Sequence, residues 1–195
     1  MDGSQGIGLA AETTGQRFDD VALPHLDAAY NLARWLTRND ADAADVVQEA
    51  FLRALTYFEG YRGDNGKAWL LTIVRNTCFR WLERNRPAVV VPFSREVETD
   101  VESAVASVSN EAPLDPETLL LRDRDSKLLD DLIGELPPLF REALVLRELE
   151  DLSYREIADV LGVPMGTVMS RLARARGLLK TAWSRRSERG AIHGM

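Results

Sequence analysis

The sequence is poor in the residues that build disulfides and metal clusters. Its 195 residues include a single cysteine, Cys78, and two histidines, His25 and His193. One cysteine excludes a disulfide framework and any zinc site made of paired thiolates. The two histidines are too far apart in sequence to suggest a histidine-based metal cluster. We therefore expect no cofactor.

Long apolar runs are also missing. No stretch approaches the roughly 20 apolar residues that cross a bilayer, and the N-terminal residues lack the basic start and apolar core of a signal peptide. The composition, with 45% hydrophobic and 28% charged residues, is typical of a globular protein. We expect a soluble, cytoplasmic protein without membrane insertion, in which residues 1–17 are disordered.

The charge of −7 at pH 7 is unevenly distributed along the chain. Residues 62–87 carry six bases and two acids, and residues 165–195 carry seven bases and one acid. Between them, residues 88–135 carry twelve acids and four bases. Because DNA affinity depends on local neutralisation of phosphates, two basic blocks indicate two candidate nucleic-acid surfaces. Ordinary surface charge is the alternative interpretation of this asymmetry.

Apolar residues recur at helical spacing on both sides of the acidic segment, and no β-rich segment competes with them. The pattern predicts an all-α fold of two small helical domains joined by a flexible acidic linker. The predicted limits are 18–87 for the first domain, 88–116 for the linker, 117–182 for the second domain and 183–195 for a C-terminal tail. The predicted helices are Val21–Arg38, Ala41–Tyr57, Lys67–Arg84, Glu117–Glu135, Pro138–Leu149, Tyr154–Leu161 and Met165–Lys180.

The second domain contains the pattern of a helix-turn-helix unit. Ser153 followed by Glu156 predicts a capping box, and Gly162 is suited to end the helix that begins there. A second helix then starts after Pro164, and its apolar stripe includes Val168. In units of this kind the second helix enters the major groove of DNA. An ordinary α-hairpin with a solvated basic face is the alternative.

Several residues of this second helix face away from its apolar stripe. Ser170 and Arg174 are placed to reach base edges, and an arginine can bond guanine O6 and N7 together. Gly166 shares the outer face. The residues flanking that face are better placed to hold phosphates; they are Thr167, Arg171, Arg176 and Lys180.

Two helices of the first domain carry further candidate surfaces. In the segment DADAADVVQEAFLRAL, the side opposite the apolar stripe presents Asp45, Gln48 and Glu49, a face for docking or simply for solvent. In KAWLLTIVRNTCFRWLERNR, an exposed pair of Arg75 and Asn76 lies beside Phe79. These residue types suit unpaired DNA, because Asn pairs with base edges, Arg neutralises phosphate and an aromatic ring stacks on bases. The alternative for Phe79 is packing beneath a neighbouring helix.

Taken together, these segments resemble the extracytoplasmic-function group of bacterial sigma factors, which have two conserved domains. The resemblance covers about residues 18–86 and 128–179. DAADVVQEAFLRAL is similar to the helix that docks on the β′ clamp of RNA polymerase, and it implies clamp contacts by Asp45, Gln48 and Glu49. KAWLLTIVRNTCFRWL is similar to the segment that binds the −10 promoter element. The implied −10 contacts, including those of the preceding loop, are Tyr61, Arg62, Arg75, Asn76, Phe79 and Arg80.

The segment LPPLFREALVLRELEDLSYREIADVLGVPMGTVMSRLARAR is similar to the domain that reads the −35 element and touches the β flap. The resemblance implies a non-enzymatic transcription-initiation factor with core polymerase, promoter DNA and an anti-sigma factor as partners. One departure is Met169, where many members have arginine, and it indicates a different −35 preference. The implied −35 contacts are Gly166, Thr167, Ser170, Arg171, Arg174 and Arg176.

Three other functions remain to be distinguished at this point. A sigma-like decoy would bind an anti-sigma factor without DNA, but the basic surfaces are retained. A conventional helix-turn-helix regulator would bind palindromic DNA without polymerase. A nucleic-acid enzyme would need an active-site constellation, and the sequence offers none.

Overall fold

The computed structural model describes residues 17–63, 65–86 and 127–192. All regular elements within these ranges are helical, which confirms the all-α prediction. Two of these elements are short 3₁₀ turns, at Leu23–His25 and Phe58–Gly60. The helices are α1 (17–22), α2 (Leu26–Thr37), α3 (Asp40–Tyr57), α4 (Gly66–Asn85), α5 (127–135), α6 (Pro138–Glu148), α7 (Tyr154–Leu161) and α8 (Met165–Ile192).

The N-terminal unit, α1–α4, is built on three mutually packed helices, α2, α3 and α4. The predicted helix Val21–Arg38 is interrupted, because Pro24 favours a 3₁₀ turn between α1 and α2. Arg38 ends α2 in the left-handed conformation, with φ 57°. Asn39 then caps α3 by accepting a hydrogen bond from the Asp42 backbone N–H at 3.0 Å.

Helix α4 begins at a second asparagine cap, where Asn65 Oδ1 accepts a hydrogen bond from the Ala68 N–H at 2.9 Å. Cys78 lies on its buried face, and burial raises the pKa of the thiol to about 12. A thiol in this environment packs as a small apolar group. The buried residues of this face are Ala68, Leu70, Leu71, Val74, Thr77, Cys78 and Leu82.

The C-terminal unit, α5–α8, packs α8 against α6 and α7. Its buried apolar side chains include Leu146, Ile157, Val168 and Leu172. Helix α8 continues to Ile192, so the prediction that it ends near Lys180 is wrong. No proline and no further glycine before Gly190 interrupts the helical pattern after Gly177.

The two units are in direct contact, which the sequence did not predict. Helix α2 packs against α6, and α4 packs against α7. At the first contact the buried Arg141 guanidinium donates to three backbone carbonyls, those of Trp35 at 2.9 Å, Gly134 at 2.8 Å and Leu136 at 2.7 Å. Burial lowers the pKa of Arg141 to about 10. The predicted linker, residues 88–116, and residues 1–16 lie outside the described part of the chain.

Candidate DNA and partner interfaces

The turn between α7 and α8 has the geometry that the sequence predicted. Ser153 Oγ accepts the Glu156 N–H at 3.3 Å, and Glu156 Oε2 accepts the Ser153 N–H at 2.7 Å. These hydrogen bonds to Ser153 lower the pKa of Glu156. Gly162 ends α7 with φ 65°, and the Val163 N–H returns to the Ala158 carbonyl at 3.1 Å. The capping box and the glycine turn therefore fix the direction in which α8 leaves α7.

The outer face of α8 is open at its first turns. Gly166 and Arg174 are exposed, and Ser170 is half-buried with its hydroxyl donating to the Thr167 carbonyl at 3.0 Å. Thr167 itself is half-buried. A Cβ added at Gly166 would meet no atom within 4 Å, so a ligand backbone can approach closely there. The face can therefore receive a DNA groove along Gly166, Ser170 and Arg174.

Two large apolar side chains lie beside this face. Met165 is 52% exposed and Met169 is 51% exposed, one helical turn apart. Arg176 is exposed, and it donates to Glu148 Oε1 at 2.7 Å, a bond that raises its pKa. The outer surface of α8 thus combines basic and apolar groups.

The Arg171 side chain turns toward the interior of the C-terminal unit, and the expectation that it flanks the outer face of α8 is wrong. Its side chain is buried, and Nη1 donates to Glu142 Oε1 at 3.1 Å. Residue 171 falls at the border of the apolar stripe on the helical wheel, and the long arginine stem lets the residue turn inward. A phosphate cannot reach this guanidinium in the conformation observed.

Helix α4 exposes only part of the surface that the sequence placed on it. Asn76 and Arg80 are exposed, as predicted. Phe79 is half-buried and packs against the core, with the guanidinium carbon of Arg75 4.8 Å from its ring centroid. Of the two arrangements considered for Phe79, the structure has the packed one.

Arg75 is not exposed, contrary to the prediction. Its Nε donates to Glu142 Oε2 at 2.7 Å and its Nη2 to Glu142 Oε1 at 3.1 Å. Glu142 on α6 has no exposed side-chain surface, and Arg75 retains 17%. Burial raises the pKa of Glu142, while Arg75 and Arg171 oppose that shift. We call the arrangement of Arg75, Glu142 and Arg171 the Glu142 bridge.

Sequence reasoning missed Glu142 altogether. The residue directly precedes the apolar run of α6, in which Ala143, Leu144, Val145 and Leu146 are all buried. A carboxylate that is buried beside such a run needs a cationic partner, because an isolated buried charge would be too costly. The position of Glu142 in the sequence does not show which cation pairs with it, and only the folded structure identifies Arg75 as that partner.

The loop before α4 is lined by an aromatic cluster. Phe58 and Tyr61 stack with ring centroids 6.0 Å apart, and Tyr61 lies 4.9 Å from Trp69. Arg62 is exposed and donates to the carbonyls of Glu59 and Tyr61. An open cavity of about 520 Å³ adjoins the cluster; its lining is Arg17, Phe58, Glu59, Tyr61, Arg62 and Gly63.

Helix α3 presents the predicted polar face beside an apolar groove. Asp45 and Gln48 are exposed. Glu49 is half-buried, 2.6 Å from Arg53 Nη2 and 3.6 Å from Arg84 Nη2. The groove, about 400 Å³ between α2 and α3, was not predicted, because it forms only when the two helices pack. Its lining is Leu26, Asp27, Tyr30, Ala44, Val47, Gln48 and Phe51.

Within the described residues, no helix has the length and hydropathy needed to cross a membrane. The same part of the chain holds no group of three or more His, Cys, Asp or Glu side chains arranged for a metal ion.

Two family models match the chain. The model for sigma-70 region 2 matches residues 22–87, and the model for sigma-70, region 4 matches residues 126–179. Among curated proteins, the ECF RNA polymerase sigma-E factor of Haemophilus influenzae is 35% identical over 153 residues, covering 76% of this chain and 77% of that protein. The sigma-E factor of Escherichia coli is 37% identical over 139 residues, covering 69% and 70%.

Solved structures show the same likeness. The sigma factor RpoE in complex with the anti-sigma factor NepR, from Bartonella quintana, matches with a TM-score of 0.63 at 25% identity, over 87% of this chain and 98% of that one. CnrH, in complex with the cytosolic domain of CnrY, matches with a TM-score of 0.58 at 26% identity, over 91% and 96%.

Proposed function

This chain belongs to the extracytoplasmic-function sigma factors of the sigma-70 family, and we propose that three of its surfaces divide the work of promoter-specific transcription initiation. One surface binds core RNA polymerase, one reads the −35 element and one holds unpaired bases of the −10 element. The observation that carries the proposal is the capped helix-turn-helix, which presents Ser170 and Arg174 on the outer face of α8.

The −35 surface is the outer face of α8. Arg174 is placed to bond a guanine edge bidentately, a contact worth roughly 1–3 kcal/mol of discrimination. Thr167 and Arg176 hold backbone phosphates beside it and set the register of the helix in the groove. Gly166 lets the DNA backbone approach the start of α8. Arg171 takes no part in this surface in our proposal, since it is committed to Glu142.

The −10 surface combines α4 with the loop before it. Asn76 pairs with an unpaired base edge, and Arg80 and Arg62 neutralise the backbone of the melted strand. Tyr61, in the aromatic cluster at the open cavity, offers a stacking surface for an extruded base. Phe79 supports this surface from below, and Arg75 joins it only once it leaves Glu142.

The polymerase surface is the α3 face with the adjoining groove. Asp45 and Gln48 contact the β′ clamp, and Glu49 is held in place by Arg53. The apolar lining of the groove adds burial to these polar contacts, as in the core of a typical interface. The C-terminal unit contacts the β flap. An anti-sigma factor that covers these surfaces would keep the protein inactive.

The chain has no catalysis of its own in this proposal, because nucleotide addition belongs to core polymerase, and it acts in the cytoplasm. Run-off transcription with sigma-free core polymerase and a promoter library tests the proposal. We expect initiation from a small set of promoters that share −35 and −10 motifs. The double variant Asp45→Ala, Gln48→Ala should lose core binding and initiation together. DNA binding without any dependence on core would instead identify a conventional regulator.

A further inference from the structure

We infer that Met169 is a specificity-determining residue of the −35 surface, that it recognises the C5-methyl group of a thymine in the major groove, and that Met165 supports it from the preceding turn. The inference rests on the proposed function, since it names what one side of that surface reads. It assigns a base contact to an apolar side chain, in addition to the contacts of Ser170 and Arg174.

The first observation is the exposure of two neighbouring methionines. Met165 is 52% exposed and Met169 is 51% exposed, and because they are four residues apart on one helix their side chains form a single apolar surface. Single exposed apolar residues are common on soluble proteins. This pair, however, lies in the first two turns of α8, and in helix-turn-helix units the N-terminal residues of the second helix contact base edges. The pair therefore lies where base recognition takes place.

Met169 has only small neighbours toward the outer face of α8. These are Gly166, about 60° away on the helical wheel, and Ala173, about 40° away, and both are exposed. A Cβ added at Gly166 would meet no atom within 4 Å, so the space above it is open. Since neither neighbour has a side chain longer than a methyl group, a base edge can contact the methionine without displacing another side chain.

The charge of α8 favours DNA over a protein as the molecule that covers the methionines. Residues 165–186 include six bases and no acid. Arg174 and Arg176, both exposed, belong to this set. A basic helix surface attracts phosphate, and an apolar group within that surface suits the groove between two phosphate backbones. We therefore infer a base as the contact of Met169.

Thymine is the base that an apolar side chain recognises in the major groove. Its C5-methyl group is the apolar feature that distinguishes it there from the other bases. The unbranched and polarizable methionine side chain can adapt its shape to such a group. Methionine has no donor for the O6 and N7 acceptors of guanine, and its sulfur is a weak acceptor for the N4 amino group of cytosine. Either base would thus lose hydrogen bonds to water without replacement.

The helix geometry relates this thymine to the base that Arg174 reads. Five residues separate Met169 from Arg174, which corresponds to about 7.5 Å of helix rise and to about two base pairs of duplex. A helix about 10–12 Å across fills a groove about 12 Å wide, so the sides of the outer face that carry Met169 and Arg174 both lie against the DNA. We expect the thymine within about two base pairs of the base pair whose preference Arg174 sets.

Replacing thymine by deoxyuridine tests the contact, because it removes the methyl group and keeps the base pairing. In a responsive promoter, each thymine of both strands of the −35 element is replaced in turn, and the affinity of the holoenzyme is measured. We expect wild type to lose about fourfold at one or two thymines near the base pair read by Arg174, the size expected for one buried methyl group. Met169→Ala should bind the thymine and deoxyuridine promoters equally.

Two results would overturn the inference. One is a wild type that binds every deoxyuridine promoter as tightly as the parent promoter. The other is a Met169→Ala variant that keeps the fourfold difference, including the case in which it weakens assembly with core polymerase, since the methionine would then contact protein. A wild type that initiates from no promoter would count against the proposed function instead.

Conservative variants separate recognition of the methyl group from a general role in packing. Met169→Leu keeps an apolar side chain of similar volume and should keep the preference for thymine over deoxyuridine, whereas Met169→Gln, similar in length but polar, should lose it. Leu178→Ala is the matched control, because Leu178 is 42% exposed on α8 more than two turns further along, and it should keep the wild-type difference. Loss of the preference in Met169→Leu and Leu178→Ala alike would contradict a specific contact by Met169.

Discussion

Arg75 Nε and Glu142 Oε2 lie 2.7 Å apart although the residues are separated by 67 positions in sequence. The arginine comes from α4, which resembles a −10 binding segment, and the glutamate comes from α6 in the unit that matches sigma-70, region 4. This contact joins the two units and turns the Arg75 guanidinium away from solvent. The first prediction from this contact concerns the free energy of unfolding.

Glu142→Ala should be strongly destabilising. The substitution leaves Arg171 buried beside the space of the lost carboxylate, and breaking a buried ion pair from one side typically costs about 3–5 kcal/mol. Urea unfolding of the purified variant measures the loss. Glu148→Ala is the control, because its pair with Arg176 is about half exposed and should contribute at most about 1 kcal/mol. Equal losses for the two variants would contradict the burial of Glu142.

Gly162→Ala should destabilise the C-terminal unit by about 1 kcal/mol. Gly162 has φ 65° and open space around an added Cβ, so the cost comes from the backbone conformation alone. Gly177→Ala is the matched control, since that position is exposed within α8 with equally open space. Alanine there should stabilise the helix by up to about 1 kcal/mol. In thermal unfolding we expect a lower melting temperature for Gly162→Ala and a higher one for Gly177→Ala. A lower melting temperature for both variants would be inconsistent with the left-handed turn.

The capping box should give the stability a defined pH dependence. Hydrogen bonds from Ser153 lower the pKa of Glu156 in the folded protein, so its stabilising contribution is present above the ordinary glutamate pKa. That contribution disappears as the pH falls through the lowered value. The advantage of wild type over Glu156→Gln in urea unfolding should therefore shrink from pH 7 to pH 3. An advantage that is constant or grows toward low pH would be the contrary result.

Arg174→Ala and Arg176→Ala should have different effects on DNA binding, the first on sequence preference and the second on overall affinity. Loss of Arg174 should remove base preference at one or two −35 positions, at roughly 1–3 kcal/mol for the preferred base. Loss of Arg176 should weaken binding to all sequences alike and reduce the salt dependence by about one phosphate contact. Titration of the holoenzyme with single-base variants of the promoter at two salt concentrations separates the two effects. Uniform weakening by Arg174→Ala would mean that α8 is oriented differently on the DNA.

Local sequence signals were sufficient for α7, for the turn after it and for the start of α8, although not for the end of α8. Ser153, Glu156 and Gly162 act through neighbours within a few positions, so their roles follow from backbone chemistry alone. Helix α4 begins at Gly66, one residue before the predicted start at Lys67, and its cap at Asn65 was not predicted. These features do not depend on how the two units meet.

The orientation of the arginines could not be predicted in the same way. Periodicity placed Arg75 on the outer side of α4, yet that side of the helix is covered by another part of the chain. Arg171 sits where the wheel divides core from surface, and only a buried carboxylate on a different helix decides its direction. The inward orientation of Arg75 and of Arg171 depends on Glu142, which is distant from both in sequence and lies beside them only in the folded protein.

The most direct test of this account is permanganate footprinting of a responsive promoter, because unpaired thymines react and paired ones do not. With core polymerase and this protein together, we predict reactive thymines within the −10 element, and an at least tenfold weaker signal for Asn76→Ala. Neither core alone nor this protein alone should open the element. An unreactive −10 element under the complete protein, on a promoter that it binds, would contradict the assignment of α4 to strand capture.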